Sequence, residues 1–106
     1  MREIYLIYST FPNPDEAKGV AKKLIEERLC ACVNIVPKID SIYWWEGKIE
    51  EEGESLLIAK TVEEKVEKIT RRIKELHPYD LPAILVLKVE GGLVEFLEYV
   101  GRETEG

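Results

Sequence analysis

Several residue types are scarce in this 106-residue chain, and each scarcity excludes something. There is no Gln, and there are only two Asn, one Met, one His and two Cys. One His and two Cys leave little material for a closed metal cage, which takes four ligands, or for a Cys–His catalytic pair. Long apolar runs are missing as well. The longest, Ile4 to Tyr8 and Ala83 to Leu87, fall far short of the roughly 20 residues of a bilayer span. Arg2-Glu3 followed by only five apolar residues is not a secretory leader, so a cytoplasmic protein without membrane association is expected. Basic residues are outnumbered, 15 against 21 acidic ones for a net charge of −6, which argues against a nucleic-acid backbone as partner. No Gly-rich phosphate loop, H-E-x-x-H or G-x-S-x-G occurs.

What is present points to one folded domain over residues 1–106. Apolar residues make up 45% and charged residues 34%, too apolar for a disordered chain, and the length suits a single core. Eighteen of the 21 acidic residues are Glu. With so few amides, that is the composition of hyperthermophile proteins, and a heat-adapted source is expected.

The periodicity alternates between the two regular structures. Ile4 to Tyr8 reads as a buried strand. Asn13-Pro14-Asp15-Glu16 reads as a helix start, with Asn as cap and Pro at the first helical position. Ala17, Val20, Ala21, Leu24, Ile25 and Leu29 then fall on one helical face, which predicts a helix ending near Leu29. Two strands, roughly 30–43 and 48–60, flank a Gly47 apex and read as a hairpin. Thr61-Val62-Glu63-Glu64 resembles a capping box opening a second helix with Val62, Val66, Ile69, Ile73 and Leu76 on its buried stripe; His77-Pro78 ends it. A strand over 83–89 follows, and after Gly91-Gly92 a short helix with Leu93, Phe96, Leu97 and Val100 inward. The order βαββαβ plus a terminal helix is the ferredoxin-like α+β pattern, an antiparallel sheet with helices on one face.

The hairpin is too long for that domain. Some 13 residues per strand span on the order of 43 Å, whereas a 106-residue globule has a diameter of roughly 33 Å. The projecting tip carries Ile42, Tyr43, Trp44, Trp45 and Ile49, and exposed paired strands rich in aromatics invite association. Bulges at Pro37 or Gly53 would be the other way to shorten it.

Candidate chemistry is sparse. Cys30-Ala31-Cys32 reads as C-x-C on a strand, with both thiols on one face and too stretched for a mutual disulfide. The thiols are either small buried hydrophobes or soft-metal ligands that need further donors, His77 among them. His77, in H-P-Y-D after the second helix, either caps the last carbonyls or serves as a metal or anion ligand. The acidic run Glu50 to Glu54 reads as edge protection rather than a hard-cation site.

Five strings together resemble one family. Ser9-Thr10-Phe11-Pro12, Leu29-Cys30-Ala31-Cys32-Val33-Asn34, the stretch from Ser41-Ile42-Tyr43-Trp44-Trp45 to Glu50, Lys60-Thr61 and His77-Pro78-Tyr79-Asp80-Leu81-Pro82 are similar, in order and over nearly the whole chain, to the CutA divalent-cation tolerance proteins. The resemblance implies a homotrimer assembled through the long hairpin, like that of the nitrogen-regulatory PII signal proteins, and an association with copper and other divalent metals. It implies Cys32 and His77 as metal candidates for Cu(II) or another divalent ion, to which this sequence adds Cys30 as a further sulfur. Lys60, Tyr79 and Trp44 are the expected lining of a cleft between subunits, and Tyr43, Trp44, Trp45 and Ile49 the expected interface. Three positions depart from the family pattern: Cys30 replaces a small residue, Ala83 stands where an acid is common, and Val100-Gly101 where a Trp is frequent.

Two enzyme or nucleic-acid readings share the topology. An acylphosphatase-like activity needs an Arg in the first loop, which here is Thr10 to Pro14. An RNA-binding module needs aromatic and basic middle strands, where Glu50 to Leu56 is mainly acid. A non-enzymatic metal-responsive protein is therefore expected, with a trimeric adaptor or small-ligand signal protein as the alternative.

Overall fold

A computed structural model describes residues 2–106 in the order β1 (Ile4–Phe11), α1 (Pro14–Glu26), β2 (Cys32–Trp45), β3 (Lys48–Val62), a single 3-10 turn (Glu63–Lys65), α2 (Val66–Leu76), β4 (Ile84–Lys88) and α3 (Val94–Glu103). The strands are antiparallel and lie in the order β2-β3-β1-β4. This is the expected α+β arrangement with a long central hairpin and a further C-terminal helix. α1 begins as its sequence dictates: the Asn13 side chain accepts from the Glu16 N–H at 2.9 Å and Pro14 opens the first turn. It stops at Glu26 rather than near Leu29, because the chain leaves through Arg28 in the left-handed region (φ 57°).

Alternation along the strands gives the sheet two unequal faces. Ile7, Phe11, Leu57 and Ala59 point to α1 and α2 and meet Val20, Leu24, Ile69 and Ile73 in the main core. The opposite face carries Leu6 and Tyr8 from β1, Leu56 and Ile58 from β3, and Leu85 and Leu87 from β4. Nothing among the described residues covers most of it. Only one end is closed, where Val100 of α3 packs on Ile4 and Val62. Thus the helices are not all on one face, as the sequence pattern suggested: α3 crosses to the other side. It is fastened there by Arg2, whose guanidinium donates to the Gly101 carbonyl at 2.6 Å, and by Arg28 to the Glu103 carbonyl at 3.1 Å.

Three local expectations are corrected. Thr61 does not cap α2. β3 runs on through Val62, and the Thr61 hydroxyl instead donates to the Leu29 carbonyl at 2.6 Å, a long-range tie that outcompetes the local cap. Leu93 and Phe96 are exposed, because α3 meets the sheet through Leu97 and Val100. The two thiols do not share a face: β2 starts only at Cys32, and Cys30, just before it, turns into the main core.

The hairpin combines both geometric solutions. One extra residue at Pro37-Lys38 makes a bulge, since Val36 pairs with Leu56 but Ile39 with Glu54. The Ser55 hydroxyl donates to the Pro37 carbonyl there at 2.7 Å. The bulge does not fold the hairpin back. Beyond Ser55, the partner of Phe11, β3 pairs with β2 alone, and the molecule measures 45 × 26 × 22 Å. The tip is closed by Glu46 and Gly47 at φ 49° and 79°, the two left-handed residues of a type I′ turn.

Ser9 is fully buried on the helix-facing side, and its hydroxyl has no hydrogen-bond partner. An unsatisfied buried hydroxyl costs about 1–3 kcal/mol, so Ser9→Ala is expected to stabilise the fold by about 1 kcal/mol. The check is a higher urea midpoint with an unchanged slope.

Candidate functional site

The bulge that kinks β2 also shapes a groove. It lies on the open face where the hairpin leaves the sheet, between β2–β3 and the loop after α2, and encloses about 930 Å³. Tyr8 and Thr10 form its floor, Ile39 and the aromatic tip residues one wall, and the loop from Pro78 to Ala83 the other.

His77 builds the loop wall. Its ring stacks on Phe11 with centroids 4.2 Å apart. Nε2 lies 2.8 Å from the Thr10 carbonyl oxygen, and Nδ1 accepts from the Tyr79 N–H at 3.1 Å. An acceptor at Nδ1 fixes the neutral tautomer with the proton on Nε2, which donates to Thr10. Burial holds the imidazole pKa below its ordinary value, against the opposing pull of the Thr10 carbonyl and of Glu54. Both nitrogens are thus in use, and the group acts as a bracket between β1 and the loop.

The bracket aims Tyr79 across the groove, where its hydroxyl donates to Glu54 at 2.9 Å. Tyr43 donates likewise to Glu52. Burial, then the bond to Glu54, pushes the Tyr79 phenol up; the bond to Glu52 first, and burial second, takes Tyr43 to about 12. Both phenols remain protonated donors at neutral pH. Glu54 is only 8% exposed.

The expected site residues fall into two groups. Tyr79 and Trp44 both line the groove, together with Tyr43 and Trp45. Lys60 does not. It lies on the same face but level with Leu6, bonded to Asn34 and with its ammonium 5.9 Å from the Phe96 ring centroid. Cys32 is its cross-strand partner. Counted along β1, Cys32 and Lys60 sit at Leu6 and His77 at Thr10, roughly 13 Å apart.

The proposed metal donors are therefore not assembled within one chain. Cys30 is 2% exposed, and burial first, then the neighbouring Cys32, pushes its thiol pKa up to about 12. His77 has no free nitrogen. Among the described residues no group of three or more His, Cys, Asp or Glu is placed to hold a metal ion. The donor set does not fit a closed copper site in a single subunit.

Glu52 and Glu54 were not among the expected site residues. Their signal was present as Glu50, Glu52 and Glu54 at a spacing of two, which puts all three on one face of a strand.

A family model described as CutA1 divalent ion tolerance protein matches residues 5–103. The divalent-cation tolerance protein CutA of Thermus thermophilus is 44% identical over 104 residues, which cover 98% of this chain and 99% of the relative. Protein CutA 1, chloroplastic, of Oryza sativa is 43% identical over 99 residues, 93% of this chain and 56% of that protein. The chain thus spans a little over half the length of that relative. Among solved structures, the divalent ion tolerance protein CutA1 from Ehrlichia chaffeensis superposes with a TM-score of 0.95 at 35% identity, covering 100% of this chain and 99% of the other.

Proposed function

Because the chain belongs to the CutA1 divalent ion tolerance protein family, we propose that it works as a cytoplasmic, non-enzymatic homotrimer of PII-like architecture that responds to divalent metal. The open sheet face carries this reading. Leu85, Leu87 and Val36 are 57%, 47% and 40% exposed, and Trp45, on the same face at the hairpin tip, is 48% exposed, an apolar surface that a lone soluble chain rarely presents. Other copies of the chain cover it, and the hairpin aromatics Tyr43, Trp44, Trp45 and Ile49 extend the contact. Copper or another divalent ion is held between copies rather than within one, with half-buried Cys32 on the shared face as the donor each subunit brings.

Light scattering after gel filtration tests the assembly, with three times the 12.2 kDa chain mass as the expected result and a monomer as the overturning one. Calorimetric titration with Cu(II) and Zn(II) tests the metal. Saturable heat that disappears in Cys32→Ser supports it, and heat unchanged by that substitution removes it. A second reading, a small-ligand binding trimer with no direct metal role, is favoured by the groove, which is built from paired aromatics and carboxylates while the metal donors stay scattered.

A further inference from the structure

Charge is spread unevenly over the open face. Past Lys48 at the turn, the β3 residues on that side are Glu50, Glu52 and Glu54, then Leu56 and Ile58, then Lys60. Acid thus stands at one end, apolar surface in the middle and a cation at the other end.

Lys60 has no anion. Its ammonium is bonded to the Asn34 amide oxygen and lies 5.9 Å from the Phe96 ring centroid. Both partners are neutral, and none of the ion pairs among the described residues involves Lys60. Glu52 is likewise in none of them. It is exposed, and its Oε1 accepts from the Tyr43 hydroxyl, a neutral donor that orients the carboxylate without cancelling its charge. Glu54 is less available, at 8% exposed with its Oε2 held by Tyr79 of the same subunit.

Within one subunit Lys60 and Glu52 both keep water around them. Copies that cover the open face take that water away, and a buried cation without a counter-charge is strongly destabilising. Lys60 cannot reach Glu52 of its own chain, because eight strand residues set the two roughly 26 Å apart. A neighbouring copy is the nearest source of an uncompensated carboxylate on a matching surface. In a ring of identical copies each interface joins two different patches. An acidic end and a cationic end of one face are therefore complementary between copies, with Leu56 and Ile58 supplying the apolar contact between them.

We propose that in the assembled protein the Lys60 ammonium of each subunit pairs with Glu52 of the partner subunit, once at every interface. Tyr43 acts as the positioning residue for that carboxylate. The proposal rests on the trimeric reading and names the contact by which the copies find their register, since complementary charge fixes orientation as well as strength.

The test is light scattering after gel filtration over a dilution series, in urea just below the unfolding transition of the parent. Lys60→Glu sets carboxylate against carboxylate, and Glu52→Lys sets ammonium against ammonium. Each should raise the chain concentration at half-dissociation about tenfold or more. The double variant Lys60→Glu/Glu52→Lys restores an opposite-charge pair and should return to within about threefold of the parent. Glu52→Lys combined with Lys22→Glu has the same total charge but no restored pair, and should dissociate as readily as Glu52→Lys alone. Circular dichroism reads the fold of each variant. If a reversal does not fold, Lys60→Met and Glu52→Gln decide the matter: each alone strands one charge and weakens the assembly, and the two together should weaken it less than either. Single variants that dissociate like the parent, a double reversal no better than its singles, or rescue by Lys22→Glu would each overturn the proposal. A parent that is monomeric from the start overturns the trimeric reading and the pair with it, whereas an assembled parent without coupling between Lys60 and Glu52 overturns the pair alone.

Discussion

Leu85→Glu is expected to turn the assembled protein into a folded 12.2 kDa monomer. Leu85 sits on β4 opposite Tyr8 and is 57% exposed within one chain, so a carboxylate there meets water and costs the subunit little. In an assembly that buries the open face, the same change removes about 1.5–3 kcal/mol of apolar burial and strands an unpaired charge at a further several kcal/mol. The penalty recurs in every copy, which exceeds what a small interface tolerates. Light scattering reads the mass and far-UV circular dichroism reads the fold. Lys22→Glu, on the exposed outer side of α1, is the control and should keep the mass of the parent. If Leu85→Glu retains three times the chain mass, the open face is not where copies meet.

The overhang that motivates this prediction was legible in the sequence because it depends only on residue count and strand rise. Strands expected over about 30–43 and 48–60 form over Cys32–Trp45 and Lys48–Val62, and the long axis of 45 Å agrees with the extended length. The capped start of α1 was legible for a similar reason: Asn13, Pro14 and Glu16 interact within four residues.

What escaped the sequence was long-range competition. Thr61 has the local pattern of a cap, but its hydroxyl finds the Leu29 carbonyl 32 positions away. Leu93 and Phe96 have helical spacing, yet which side of α3 is buried depends on the sheet face it crosses to, and that is fixed by Arg2 and Val100 reaching distant partners. The thiols fail in the same way. A strand beginning two residues earlier would have put Cys30 beside Cys32; the chain instead turns at Arg28 and sends Cys30 inward. The groove was half legible. Tyr79 and Trp44 were expected as cleft-lining residues of the H-P-Y-D loop and the hairpin tip, whereas Glu52 and Glu54 looked like edge charges until the bulge at Pro37-Lys38 and the His77 bracket brought tyrosines onto them.

His77→Ala is expected to cost about 3 kcal/mol of stability. The substitution leaves the Thr10 carbonyl and the Tyr79 N–H without partners, each worth about 1 kcal/mol or more when buried, and it removes the ring stacked on Phe11, which adds the loss of packing. Acid should mimic part of this effect in the parent protein. Burial lowers the folded-state pKa of His77 from 6.5, so between the two values the unfolded chain binds the extra proton and the folded chain does not. Stability is therefore fully present above about pH 6.5 and falls as the pH drops through the folded value. A proton on Nδ1 also ends the bond from the Tyr79 N–H, loosening the loop that presents Tyr79 to Glu54. Urea midpoints measured from about pH 7.5 down to about pH 5 should decline in the parent. In His77→Ala they should start lower and lose that share of the slope. Parallel pH profiles for the two proteins would show that the acid sensitivity resides elsewhere, and an unchanged midpoint at neutral pH would show that the bracket carries no load.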